Sequence, residues 1–172
     1  MIPFPLPNSP VSHYPTDPEL SSTSIVRDWF DYPVRVQPHH TDYAGVVWHG
    51  SYVAWLEAAR VECLRAVGVE FADLVASGCD LPVVELSLRY HRSLRMGMAA
   101  VIKTRMAEVT GVRLHWDYQI QSPDGQALYA TARVTLVPID RQKGKIRRQL
   151  PVVVKDALVQ LEQQFFSRAV AD

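Results

Sequence analysis

Cysteine, net charge and long apolar runs are all scarce in this chain, and each scarcity removes a class of function. Two cysteines in 172 residues cannot build a disulfide framework. Cys63 falls among apolar residues and Cys79 follows a glycine, so both read as thiols of a reducing compartment. Lys and Arg number 18 against 18 Asp and Glu, for a formal net charge of zero. Duplex nucleic acid and anionic membrane surfaces both call for a basic excess, so neither is expected as the main partner. No apolar run is long enough to span a bilayer. The first residues lack the basic start and apolar core of a secretory signal, and cytoplasm is the expected location. There is no internal repeat. What remains is the composition of an ordinary globule, 48% hydrophobic and 21% charged, at a length suited to one domain with a sizeable core.

Residues 1–24 read as an arm, crowded with Pro3, Pro5, Pro7, Pro10, Pro15 and Pro18. Such a segment buries too little apolar surface to offset its ordering entropy. Residues 28–37 form a first strand through Trp29, Phe30, Tyr32, Val34 and Val36, closed by Pro38, which cannot donate to a ladder. Residues 53–67 predict a helix with Trp55, Leu56, Ala59, Cys63, Ala66 and Val67 on one arc and Gly68 as its C-terminal cap. The rest of that wheel is still rich in Val, Ala and Leu, which predicts cover on most sides. A short helix follows over 70–77. The period then changes from 3.6 to 2, in runs centred on Val84 to Tyr90, Ile102 to Met106, Val112 to Ile120 and Leu128 to Leu136. The turn Ser122-Pro123-Asp124-Gly125 has its residues in turn-favouring order. Residues 141–148 are basic and loop-like. Pro151 opens a terminal helix carrying Val154, Ala157, Leu158, Leu161 and Phe165 on one side.

One sheet with one apolar face must cover that face, and the helix over 53–67 is the only element long and apolar enough. The expected fold is α+β, a five-stranded antiparallel sheet wrapped around one long central helix. The expected organisation is an arm over 1–24, a domain over 25–140, and a basic loop with a helix over 141–172.

The wording of the first turn carries a resemblance. Asp42-Tyr43-Ala44-Gly45-Val46-Val47-Trp48-His49-Gly50-Ser51-Tyr52, followed by Glu57-Ala58-Ala59-Arg60-Val61-Glu62, resembles the hotdog-fold thioesterases. The branch it is most similar to is the 4-hydroxybenzoyl-CoA thioesterase-like family, with its short acyl-CoA thioesterases associated with the Tol–Pal system. The resemblance covers about residues 28–138. It implies a hotdog fold, hydrolysis of an acyl-CoA, no cofactor, and a homodimer or homotetramer whose sites are shared between subunits. It implies Asp42 as the catalytic carboxylate and His49 as an active-site ring. The N–H groups of His49 and Gly50, after the turn at Gly45, become the oxyanion donors. Tyr43, Trp48 and Tyr52 become the acyl pocket. This chain departs at His40, where an acidic residue is frequent, and at Tyr43, where a small residue or proline is usual.

The chemistry is consistent with these roles. A thioester carbonyl needs a base or nucleophile, and a donor for the developing oxyanion. A carboxylate just ahead of a helix supplies the first, and the free N–H groups of the first turn supply the second. Each residue also has an ordinary reading. Asp42 suits a turn or cap, His49 a hydrogen-bonded helix start, Tyr52 a core aromatic, and Glu57 with Arg60 a structural ion pair. His39 and His40, as neighbours on a strand, would point to opposite faces, so no metal is expected. Coenzyme A brings phosphates, for which Arg92, Arg95 and Arg113 are candidates, with the cluster from Arg141 to Arg148 beside them. Two rivals stand beside acyl-CoA hydrolysis. One is hydrolysis of acyl carrier protein thioesters, with that carrier as partner; the other is a hotdog acyl-CoA-binding module without turnover. For the oligomer, the strand beginning near Val101 or its neighbour is expected to pair across a two-fold axis.

Overall fold

The computed structural model describes residues 29–166, and the expected arm over 1–24 lies outside the described residues. Strand β1 (Phe30–Arg35) leads through a 3-10 turn (Pro38–His40) to helix α1 (His49–Ala66). Helix α2 (Phe71–Ala76) and the two-residue strand β2 (Cys79–Asp80) follow. Then come β3 (Val83–Tyr90), β4 (Ala99–Thr110), β5 (Arg113–Gln121) and β6 (Leu128–Leu136). A small hairpin of β7 (Ile139–Asp140) and β8 (Lys145–Ile146) precedes α3 (Val152–Phe166).

The period-2 runs pair as one antiparallel sheet in the order β1-β4-β5-β6-β3. With α1 across its inner face this is the α+β hotdog arrangement. Alternation does what it predicts: Leu114, Trp116, Tyr118 and Ile120 of β5 all turn inward and are buried. They meet Tyr52, Trp55, Leu56, Ala59 and Cys63 of α1. Ala59 has no accessible surface, and its small side chain lets the sheet approach the helix axis.

The strand order positions the site. β3 and β4 are consecutive in sequence but lie apart, since β3 pairs with β6 and β4 sits between β1 and β5. The connecting residues 91–98 therefore cross the end of the sheet. There they bond back to the first turn: Val36 N–H to Met98 O at 2.9 Å and Val47 N–H to Leu94 O at 2.9 Å.

Several local expectations are adjusted. α1 begins four residues earlier than the periodicity suggested, because polar Ser51 is bonded and not solvated: its hydroxyl donates to His40 O at 3.0 Å. Ala66 is exposed, as are Val53 and Ala54, so within one chain α1 is covered on one side and not on most. The basic stretch after Arg141 is no free loop. Asp140 Oδ1 accepts the N–H groups of Gln142 and Lys143, closing the β7–β8 turn, and β7 pairs with β2. α3 buries Val154, Ala157 and Leu161 in the same core as α1. β4 has a neighbour on both sides, so the strand beginning near Val101 has no edge to offer a second copy; β1 and β3 are the edges of this sheet.

Candidate active site

The site begins as a tight hairpin between β1 and α1. Thr41 bridges Val47, Asp42 N–H donates to Val46 O at 2.8 Å, and Gly45 N–H donates to Asp42 O at 3.0 Å. Gly45 sits at φ +71°, a left-handed conformation that a side chain disfavours. Asp42 Oδ1 accepts two backbone donors, Ala44 N–H at 2.8 Å and Val46 N–H at 3.2 Å. Its other carboxylate oxygen has no partner among the described residues. The ordinary reading of Asp42 as a turn residue therefore holds. The turn holds one oxygen of an exposed carboxylate and leaves the other open.

The hairpin is braced from below. Val46 bridges Arg95, and Met96 N–H donates to Gly45 O at 3.2 Å. Trp48 is the N-cap of α1, and its N–H donates to His40 O at 3.2 Å. Ser51 N–H bonds to Trp48 O, while the N–H groups of His49 and Gly50 find no acceptor among the described residues. They are the free donors of a helix N-terminus, at its positive end. Gly50 is required here for space: a Cβ would lie 2.1 to 2.7 Å from the Trp48 ring.

Asp42 and His49, the first of these two residues, line a cleft of about 620 Å³. One wall is Asp42, Val46, Val47, Trp48 and His49; the other is Tyr90, His91, Arg92 and Ser93, with Tyr52 between. Tyr52 is 2% exposed and meets Trp55 and Tyr90 edge to face, at centroid separations of 5.6 and 5.1 Å. Burial pushes the phenols of Tyr52 and Tyr90 upward, so both stay neutral and the cleft has an aromatic floor. The His49 ring stands edge-on to Trp48 at 5.1 Å.

Of the residues expected from sequence, Asp42, Trp48, His49, Tyr52 and Arg92 meet in this cleft, and Gly45 and Gly50 shape its backbone. Arg95 adjoins it through its bridge to Val46, with an exposed side chain. Two do not join it within one chain. Tyr43 stands fully exposed at the hairpin tip and does not line the cleft. Arg113 pairs with Thr110 at the opposite end of the sheet, whereas the site end is marked by the pairing of Gln121 with Val101. His39 and His40 do not oppose each other across a strand. Pro38 ends β1 and opens a 3-10 turn, which brings their rings to a centroid separation of 4.1 Å. No third His, Cys, Asp or Glu groups with them among the described residues. Glu57 and Arg60 form the expected ion pair. Arg60, 5% exposed, also donates from Nη1 to the Tyr118 hydroxyl at 3.0 Å, away from the cleft.

Tyr90, His91 and Ser93 were not foreseen as site residues. Nothing in their local pattern distinguishes them, because it is the crossing of residues 91–98 over the sheet end that carries them to Asp42. His91 is itself oriented through its Nε2 contact with Thr131 Oγ1 at 3.0 Å. Among the described residues no helix is long and apolar enough to cross a membrane.

Comparison with known proteins bears on this geometry. The family described as the Thioesterase-like superfamily matches residues 36–160. A Synechocystis protein named "Putative esterase" is 54% identical over 158 residues, covering 92% of this chain and 95% of that protein. The acyl-CoA thioester hydrolase YbgC of Escherichia coli is 33% identical over 118 residues, covering 69% of this chain and 87% of its own. Among solved structures, a DHNA-CoA thioesterase from Staphylococcus aureus superposes with a TM-score of 0.72 at 23% identity, covering 83% of this chain and 97% of that one. At that identity the likeness speaks for the fold.

Proposed function

This chain belongs to the thioesterase-like superfamily and is a thioester hydrolase, and on that premise we propose that it hydrolyses an acyl-CoA with Asp42 as the working carboxylate. The observation that carries this reading is that two groups lie on one wall of the same cleft. One is a carboxylate with a single oxygen tied down by Ala44 and Val46; the other is the pair of free N–H groups at the start of α1.

The thioester carbonyl oxygen binds toward the His49 and Gly50 N–H groups, where charge developing on it meets fixed donors and the helix dipole. The free oxygen of Asp42 takes a proton from water as the water oxygen bonds to the carbonyl carbon. The tetrahedral intermediate then expels the thiolate; the C–S bond breaks, and the proton returns to sulfur as the free acid forms. Direct attack by Asp42, giving an anhydride that water opens, uses the same atoms. A single turnover in ¹⁸O-water separates the two. Water activation labels only the product acid, whereas label in Asp42 can arise only by direct attack, with water opening the anhydride at the Asp42 carboxyl carbon. The His49 ring, at the cleft rim, contributes a hydrogen bond to the substrate or water.

Trp48, Tyr52 and Tyr90 offer the acyl group an aromatic surface, and Arg92 at the rim offers the phosphates of CoA a guanidinium fork. The working unit is a homo-oligomer. β3 is an edge strand with Val83, Val84, Leu86 and Tyr90 between 39 and 49% exposed. Pairing with a second copy there would cover them, and Tyr90 already belongs to the cleft. The test is release of free thiol from a panel of acyl-CoAs, with matched acyl carrier protein thioesters in parallel. Turnover of acyl-CoA by a dimer or tetramer is expected. Binding without thiol release would overturn the proposal in favour of an acyl-CoA-binding module, and turnover of the carrier protein thioesters alone would reassign the substrate.

A further inference from the structure

His40 is a junction in the hydrogen bonding behind the Asp42 hairpin. Its ring and its backbone tie together three elements that must keep register for the cleft to exist. Its Nδ1 accepts the Gln37 N–H at 3.0 Å, and its own N–H donates back to Gln37 O at 3.0 Å, which locks the 3-10 turn leaving β1. Its carbonyl accepts both Trp48 N–H at 3.2 Å and Ser51 Oγ–H at 3.0 Å, which sets where α1 begins. Its ring meets Trp55 of α1 edge to face at 5.0 Å. Two residues further on is Asp42 itself.

We infer that His40 is a positioning residue whose neutral, Nε2-protonated ring holds Asp42 in register with the start of α1, and whose protonation releases that register. The inference rests on Asp42 being the working carboxylate. The bond to Gln37 exists only while Nδ1 carries no proton. A proton there sets two donors face to face and leaves the Gln37 N–H without its acceptor. The surroundings resist that proton: burial, and then the adjacent His39, hold the His40 imidazole below the ordinary histidine value. Of the groups that meet it, His39 is the titratable one; α1 presents Trp55 and Ser51, and the preceding segment presents Gln37. Asp42 directs its bonded oxygen to Ala44 and Val46. The sign follows. The native state binds this proton less tightly than the unfolded chain, so the held geometry is complete at neutral pH. It is lost as pH falls through the lowered native value.

Three measurements on the full chain test this. In ¹⁵N–¹H correlation spectra at about pH 8, the His40 ring should show an unprotonated Nδ1, and on acidification it should titrate below a free histidine. His40→Asn places an amide oxygen where Nδ1 was and cannot be protonated. It should keep hydrolysis near wild type at neutral pH and move the acid limb of kcat/KM to lower pH. His40→Leu keeps an apolar contact with Trp55 but has no acceptor. It should lower kcat by about tenfold, through misplacement of the carboxylate, with little change in KM. An Nδ1 proton at neutral pH overturns the inference, and so does an acid limb in His40→Asn that coincides with wild type. Should either variant fold poorly, the wild-type spectra decide alone. If instead Asp42→Asn keeps full activity, the reading of Asp42 fails while the tautomer and titration of His40 stand or fall separately.

Discussion

The two ends of α1 belong to one helix and are used in opposite ways. At its start, the backbone donors of His49 and Gly50 are left free, the exposed Asp42 carboxylate shares the cleft wall with His49, and the cleft is open. Toward its end, Arg60, Val61 and Leu64 face an apolar hollow closed by Phe71 and Leu74 of α2 and by Val154, Ala157 and Leu158 of α3. The charge there is spoken for: Arg60 is held by Glu57 and by the Tyr118 hydroxyl, which burial pushes upward and the guanidinium opposes. One end keeps polar groups unsatisfied, where the proposed mechanism would place the substrate. The other satisfies them internally and contributes stability. A helix can serve both purposes because its dipole makes only one terminus attractive to a developing anion.

Substitutions that separate the two ends sharpen this contrast, and the largest effect belongs to the carboxylate. Asp42→Asn keeps the hydrogen-bonding shape of the turn but cannot take a proton or attack. Turnover should fall by about 10²-fold or more with an unchanged melting temperature. Steady-state thiol release beside a thermal melt is the check, and near-wild-type turnover would remove Asp42 from its role.

Next is the backbone of the helix start. His49→Pro deletes one of the two free donors and should cost about 10²-fold in kcat, the cost of losing an oxyanion donor. His49→Ala keeps that donor and loses only the ring, so its deficit should be clearly smaller. Circular dichroism must first show matched folding. Equal losses in the two variants would make the ring primary, and no loss in either would place the oxyanion donors elsewhere.

The far end should respond in stability and not in rate. Leu161→Ala removes a buried side chain of α3 from the core and should cost about 2–5 kcal/mol in chemical denaturation. The kcat of the folded fraction should hold. A change in kcat would show that the two ends of α1 are coupled.

The smallest effect is expected at the ion pair. Arg60 is buried while Glu57 is half exposed, so the two halves are not equivalent. Glu57→Gln leaves a buried cation short of its partner, whereas Arg60→Met leaves an anion that water can reach. Each should destabilise by about 1 kcal/mol or more, the first through the unpaired buried cation and the second through the buried Tyr118 hydroxyl left without its donor. Urea midpoints unchanged in both variants would show that the pair contributes nothing to stability.

Much of this was legible because it rests on local rules. Alternation in β4 and β5 set which residues face inward, since side chains in a strand have period 2 whatever the strand pairs with; in the edge strand β3 the alternating Val84 and Leu86 stay exposed instead of being buried. The apolar arc at Trp55, Leu56, Ala59 and Cys63 set the buried face of α1. The spacing from Asp42 through Gly45 to His49 placed a carboxylate, a turn that needs glycine, and a helix start in one short stretch. Such a stretch can close on itself with few distant contacts.

What the tertiary structure alone decided are relations between segments far apart in sequence. Strand order is one: β3 pairs with β6 and not with β4, and only then do residues 91–98 cross the sheet end and bring Tyr90, His91 and Arg92 to Asp42. The same order leaves Arg113 at the opposite end, although as an arginine of the sheet it looked no different from Arg92. Pro38 is another case. β1 already ends at Arg35, two residues short of the expected end at Gln37, and the 3-10 turn that Pro38 opens, with His40 bonded back to Gln37, depends on α1 presenting Trp55 and Ser51 to that ring and carbonyl. Periodicity reports which way a side chain points from its own backbone. What it points at is set by the path of the rest of the chain, and that path is chosen by the burial of all the apolar faces together.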